Sequence, residues 1–178
     1  MPESPVSLVA HPAHPSAAVD SIHVDIVRSD SGLNLVYDVR GRLDDLRLPS
    51  TENGIRRDEL WKHTCFELFM RGETPSGYIE FNFSPGGDWA AFAFSAYRRS
   101  GPDPEVSPPE IKSSIKDSRL TVSVSLNGLP PEIASQPLQL GPTVVIEAMD
   151  GSKSYWALDH LGEAPDFHRS ETFTLSLE

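Results

Sequence analysis

The chain holds one cysteine, three methionines, few basic residues and no long apolar run, and each shortage excludes a class of function. A lone thiol builds neither a disulfide framework nor a thiolate metal cluster. Between Thr64 and Phe66, Cys65 reads as a small buried hydrophobe in a reducing compartment. No stretch approaches the roughly 20 apolar residues of a membrane-spanning helix. The opening Met1-Pro2-Glu3-Ser4-Pro5 carries an acid where a secretory signal carries Lys or Arg, so the expected location is cytoplasmic. With 15 Lys plus Arg against 26 Asp plus Glu, the net charge is −11. That charge repels phosphate backbones and anionic headgroups, so neither nucleic acid nor membrane is an expected partner.

What the sequence does contain is punctuation. Sixteen prolines and twelve glycines cut 178 residues into pieces too short for ordinary helices, and many pieces alternate apolar with polar residues. This predicts an all-β sandwich or barrel forming one domain over 1–178. Ile22, Val24 and Ile26, then a turn at Ser29-Asp30-Ser31-Gly32, then Leu33, Leu35, Tyr37 and Val39 read as a hairpin. Further strands are expected near 60–70, 78–84, 88–98, 111–115, 119–127, 143–149, 154–158 and 172–177. The polar stretches 44–57 and 100–109 read as loops, the second because its four prolines cannot donate to a ladder.

Sorting residues 60–98 by parity gives two unlike faces. Phe66, Leu68, Met70, Ile79, Phe81, Phe83, Ala90, Phe92, Phe94 and Ala96 are expected to form the core side. The other side then carries Trp61, His63, Cys65 and Glu67, followed by Tyr78, Glu80, Asn82 and Ser84, followed by Trp89, Ala91, Ala93, Ser95 and Tyr97. Small residues among aromatics and carboxylates leave room for a small polar ligand, although an aromatic face can equally meet another protein. A carboxylate in a central strand needs a partner if buried, and for Glu67 the candidates are Arg98 and Arg57. Ser84-Pro85-Gly86-Gly87-Asp88 reads as a hairpin turn rather than a phosphate loop, since no helix follows. The stretch from Trp156 to His168 is dense in polar and aromatic residues and is expected to rim the site, with Trp156, His160 and His168 as contacts.

The segments Leu60-Trp61-Lys62-His63-Thr64-Cys65-Phe66-Glu67-Leu68-Phe69, Glu80-Phe81-Asn82-Phe83-Ser84-Pro85, Asp88-Trp89-Ala90-Ala91, Tyr155-Trp156-Ala157-Leu158 and Pro165-Asp166-Phe167-His168 resemble the bacterial DOMON-like domains. That family is similar to family-9 carbohydrate-binding modules and to haem-binding DOMON domains. The resemblance implies a two-sheet antiparallel β-sandwich whose concave face or adjoining loops hold a sugar or a haem, without catalytic residues. In the sugar-binding relatives aromatic side chains sandwich the saccharide, a role that falls here to Trp61, Trp89 and Trp156. Haem in the related domains takes axial Met and His, for which Met70 on the core side and Met149 are poor candidates, so no cofactor is expected. Asp159, His160, Asp166 and His168 match no zinc spacing, and no metal is expected. Glu67 and Glu80 on neighbouring strands are of the type that serves glycoside hydrolysis, which makes a hydrolase the catalytic alternative to a binding module. His63 and Cys65, two apart on an expected strand, stand too far from one another for proton transfer.

Overall fold

The computed structural model describes residues 5–50, 53–74 and 76–178. Met1 to Ser4 of the opening segment, and Thr51 and Glu52 of the expected 44–57 loop, lie outside the described residues. Twelve strands are present among those described: β1 (Val6–Ala10), β2 (Val19–Ser29), β3 (Gly32–Gly41), β4 (Cys65–Gly72), β5 (Tyr78–Phe83), β6 (Trp89–Ala96), β7 (Arg99–Ser100), β8 (Glu110–Lys116), β9 (Arg119–Asn127), β10 (Leu138–Glu147), β11 (Lys153–Ala157) and β12 (Leu175–Leu177). The one α-helix among them is the single turn Pro131–Ala134, and no helix is long and apolar enough to cross a membrane.

All strands join one antiparallel sheet in the order β7-β6-β5-β4-β10-β11-β1-β2-β3-β9-β8, with β12 beside β10. The linking strand is β1, which pairs with β11 at its end and with β2 at its start. Alternation explains the core. Ile22, Val24, Leu33, Leu35, Tyr37, Val39, Leu120, Val122 and Val124 from β2, β3 and β9 cluster with Phe66, Leu68, Met70, Phe81 and Phe83 from β4 and β5. Burying each large side chain contributes about 1.5–3 kcal/mol, so a one-residue slip of these strands is heavily disfavoured. Tyr37 ties the two halves of the sheet together: its hydroxyl donates to the Glu67 carbonyl at 2.6 Å and its ring meets Phe66 at 5.2 Å.

Two local departures from the sequence expectation decide what the site contains. The strand expected from Leu60 begins only at Cys65; Leu60–Lys62 forms a 3-10 turn entered through Glu59 at φ 64°. Trp61 and His63 therefore leave the strand ladder, and Trp61 becomes part of a wall above the sheet.

The second departure is the parity of β6. Phe83 pairs with Trp89, Phe81 with Ala91 and Ile79 with Ala93, so Trp89, Ala91 and Ala93 share the core side while Ala90, Phe92 and Phe94 face the other way. The expected faces are reversed along this strand because the five-residue turn Ser84–Asp88, closed by the Ser84 N–H on the Asp88 carbonyl, joins two odd-numbered positions. Trp89 is consequently a core residue. Trp156 is too, with its indole N–H donating to Ser154 Oγ at 2.9 Å.

Candidate functional site

The side of the sheet turned away from the core carries Glu67 and Phe69 on β4, Glu80 on β5, Phe92 and Phe94 on β6, Val145 on β10, and Lys153 and Tyr155 on β11. Trp61 and Lys62 from the 3-10 turn, Arg98, and Pro165, Phe167 and His168 from the segment before β12 complete the walls of a cavity of about 660 Å³. This volume lies within the range that holds small-molecule ligands.

Two carboxyl groups form its floor. Glu67 lies opposite Asn82 and Glu80 lies opposite Phe69, so the two acids are diagonal neighbours on adjacent strands. Glu67 is 2% exposed, and Thr143 Oγ1 donates to its Oε2 at 2.9 Å. Burial, reinforced by the charge on Glu80, pushes the Glu67 carboxyl well above the usual range against the opposing Thr143 bond. Burial also pushes Glu80 up, to about 7, while the Asn82 amide and the Arg98 charge hold it back. Asn82 itself is fully buried on the same face. Its amide makes no hydrogen bond of ordinary geometry, yet it lies near enough to Glu80 to favour the charged carboxylate.

A polar chain runs from Glu80 to the wall. His168 Nε2 stands 3.5 Å from Glu80 Oε2, and His168 Nδ1 is 2.8 Å from the Tyr78 hydroxyl, which accepts the Arg98 backbone N–H at 3.1 Å. When Glu80 is ionised, the neutral imidazole must present Nε2–H to it, so Nδ1 accepts the Tyr78 O–H. Burial, together with the nearby Arg98 charge, pushes His168 down to about 4, and Asp166 offsets only part of this. His168 is therefore neutral near pH 7. Arg98 adopts the left-handed conformation at φ 52°, uncommon without glycine, and is held there by its N–H on Tyr78 and its guanidinium on Asp166 at 2.9 Å. Burial acts to raise the Asp166 carboxyl, but hydrogen bonds from Tyr97 and Arg98 outweigh it and hold the group low.

Of the residues expected from sequence to bind, Trp61, Glu67, Glu80, Arg98 and His168 line the cavity together. Asn82 lies on the same face without lining it. Trp89 and Trp156 point into the core instead, which corrects their expected stacking role. His63 is outside, exposed, with Nδ1 on Glu147 Oε2 at 2.8 Å. Tyr97 is 54% exposed and lines a smaller cleft of about 370 Å³ behind Tyr78 and His168. His160 puts its Nε2 on the Val9 carbonyl and its ring beside those of His11 and Phe167, and does not itself line the cavity. Neither arginine expected to pair with Glu67 does so, since Arg57 binds Asp88 at 2.8 Å and Arg98 binds Asp166.

Phe69, Phe92, Phe94, Tyr155 and Phe167 are cavity residues that sequence reasoning did not single out. Alternation could have found Tyr155, because a core Trp156 puts its neighbour on the opposite face. Met70 is in the core and Met149 is exposed, so neither shares the cavity with His168. Among the described residues, no group of three or more His, Cys, Asp or Glu side chains is placed to hold a metal ion.

No protein-family model and no curated protein sequence matches the chain. A crystal structure of a candidate carbohydrate-binding protein from Bacteroides uniformis does resemble it, with a TM-score of 0.65 over 99% of this chain and 87% of the other. At 17% sequence identity, the likeness is one of fold.

Proposed function

We propose that the cavity binds a carbohydrate or similar small polar cyclic ligand and that the chain is a non-catalytic binding module of the DOMON-like kind, a two-layer sandwich with β1 shared between its layers. The observation that carries this reading is the combination of aromatic walls with a carboxyl floor in one cavity. A sugar ring offers an apolar face to stack on Phe92, Phe94, Tyr155 or Trp61, and a hydroxyl edge that needs fixed acceptors such as Glu67 and Glu80. The fold shared with a candidate carbohydrate-binding protein supports it.

Tryptophan fluorescence tests the proposal because Trp61 is the one tryptophan lining the cavity and is 48% exposed, whereas Trp89 and Trp156 are in the core. Titration across a saccharide panel is expected to give a saturable change that Trp61→Phe abolishes. A change that persists in Trp61→Phe, or none at millimolar sugar, would contradict it.

A second reading, glycoside hydrolysis, is favoured by the placement of Glu80, poised near 7, beside Glu67. Release of new reducing ends from an oligosaccharide panel, lost in Glu80→Gln, would select it over the binding module.

A further inference from the structure

We infer that the floor of the cavity is built for a protonated amine, so that the preferred ligand is an amino sugar with a free ammonium group rather than a neutral or N-acetylated sugar. The inference rests on the carbohydrate reading above and narrows it.

The argument starts from missing partners. The Glu67 carboxyl faces the cavity at 2% exposure, and its only hydrogen bond among the described residues comes from the Thr143 hydroxyl. Every cation that might have neutralised it is committed or distant. Arg57 is on Asp88, Arg98 on Asp166, and Lys62 Nζ on Glu59 Oε1 at 2.6 Å. Lys153 pairs in register with Glu147, four residues along β10 from Thr143, which is the residue opposite Glu67. Four residues of strand span about 13 Å, so Lys153, although it lines the cavity, is anchored well along the sheet from Glu67. Glu80 has the neutral Asn82 amide, the neutral His168 imidazole at 3.5 Å and the more distant field of Arg98, but no cation in contact.

Two adjacent buried carboxyls without a cation in contact cannot both ionise at low cost. A ligand ammonium removes that cost, because its three N–H groups can donate to both acids at once. The rings of Phe69, Phe92 and Phe94 beside the floor add π faces that attract a cation. A hydroxyl in the same place leaves the acids to keep their protons, and an acetamido group brings a bulky neutral substituent with a single N–H.

The test is calorimetric titration of the full chain at pH 7 with glucosamine, glucose, N-acetylglucosamine and methylammonium. Glucosamine is expected to bind at least ten times more tightly than glucose or N-acetylglucosamine, and Glu67→Gln is expected to bring it to the level of glucose. Glu80→Gln, which removes the second acid, serves in the same way if Glu67→Gln does not fold. Equal affinity for glucose and glucosamine overturns the inference and leaves the carbohydrate reading intact. Binding of methylammonium with no sugar bound shows an ammonium-binding floor but overturns the carbohydrate reading and the amino-sugar preference that rests on it. If none of the four binds, both fail.

Discussion

Glu80 and His168 face one another with pKa values displaced in opposite directions, and this makes the cavity measurable by its pH dependence. Glu80 moves from an ordinary 4.5 to about 7, so the folded protein holds a proton that the unfolded chain has released; its contribution to stability falls as pH rises from 4.5 to 7. His168 moves from 6.5 to about 4, so the unfolded chain takes up the proton first, and its contribution falls as pH drops from 6.5 to 4. Between pH 4.5 and 6.5 the two slopes oppose. Thermal melts should therefore show Glu80→Gln gaining stability relative to wild type as pH rises through this window, and His168→Asn losing it. Parallel curves for all three proteins would mean that the pair is not buried as described.

The third strand of the cavity wall separates two tryptophans that the sequence alone could not tell apart. Trp89, at 7% exposure, packs in the core with Ala91, whereas Trp61 stands at the cavity mouth. Trp89→Ala is expected to cost about 3–5 kcal/mol of stability in denaturant unfolding, the usual cost of truncating a buried aromatic. Trp61→Ala should change stability by no more than about 0.5 kcal/mol, as for an ordinary surface site, while weakening ligand binding. Equal destabilisation by both would refute the observed pairing of β6.

The reversed parity of β6 has a physical source. Both of its parities are apolar, with Trp89, Ala91 and Ala93 on one side and Ala90, Phe92 and Phe94 on the other, so composition cannot choose between them. The length of the Ser84–Asp88 turn decides instead. By contrast, β4 and β5 are legible because one parity of each is apolar throughout, which places Glu67, Glu80 and Asn82 together on the opposite face, with Phe69 the one large apolar exception. The turn at Leu60–Lys62 was hidden because its residues continue the apolar pattern of β4, and β1 because its short Val6–Ala10 stretch lies ahead of the first clear hairpin.

Across the whole molecule, the cavity is assembled from widely separated parts of the chain: β4 to β6, the end of β10, β11, and the segment holding Phe167 and His168. The antiparallel order brings β10 and β11 beside β4, and Arg98 fastens the last segment through Asp166. A net charge of −11 attracts cationic solutes toward the surface at low ionic strength, in keeping with an acidic floor. Whether this assembly is a ligand site is tested most directly by amide and aromatic NMR spectra recorded during a saccharide titration. The predicted result is a set of saturable shifts concentrated at Phe69, Phe92, Phe94, Tyr155 and Phe167, with β8 and β9 unmoved. Shifts clustered on another surface, or spectra unchanged at millimolar saccharide, would contradict the assignment of this cavity.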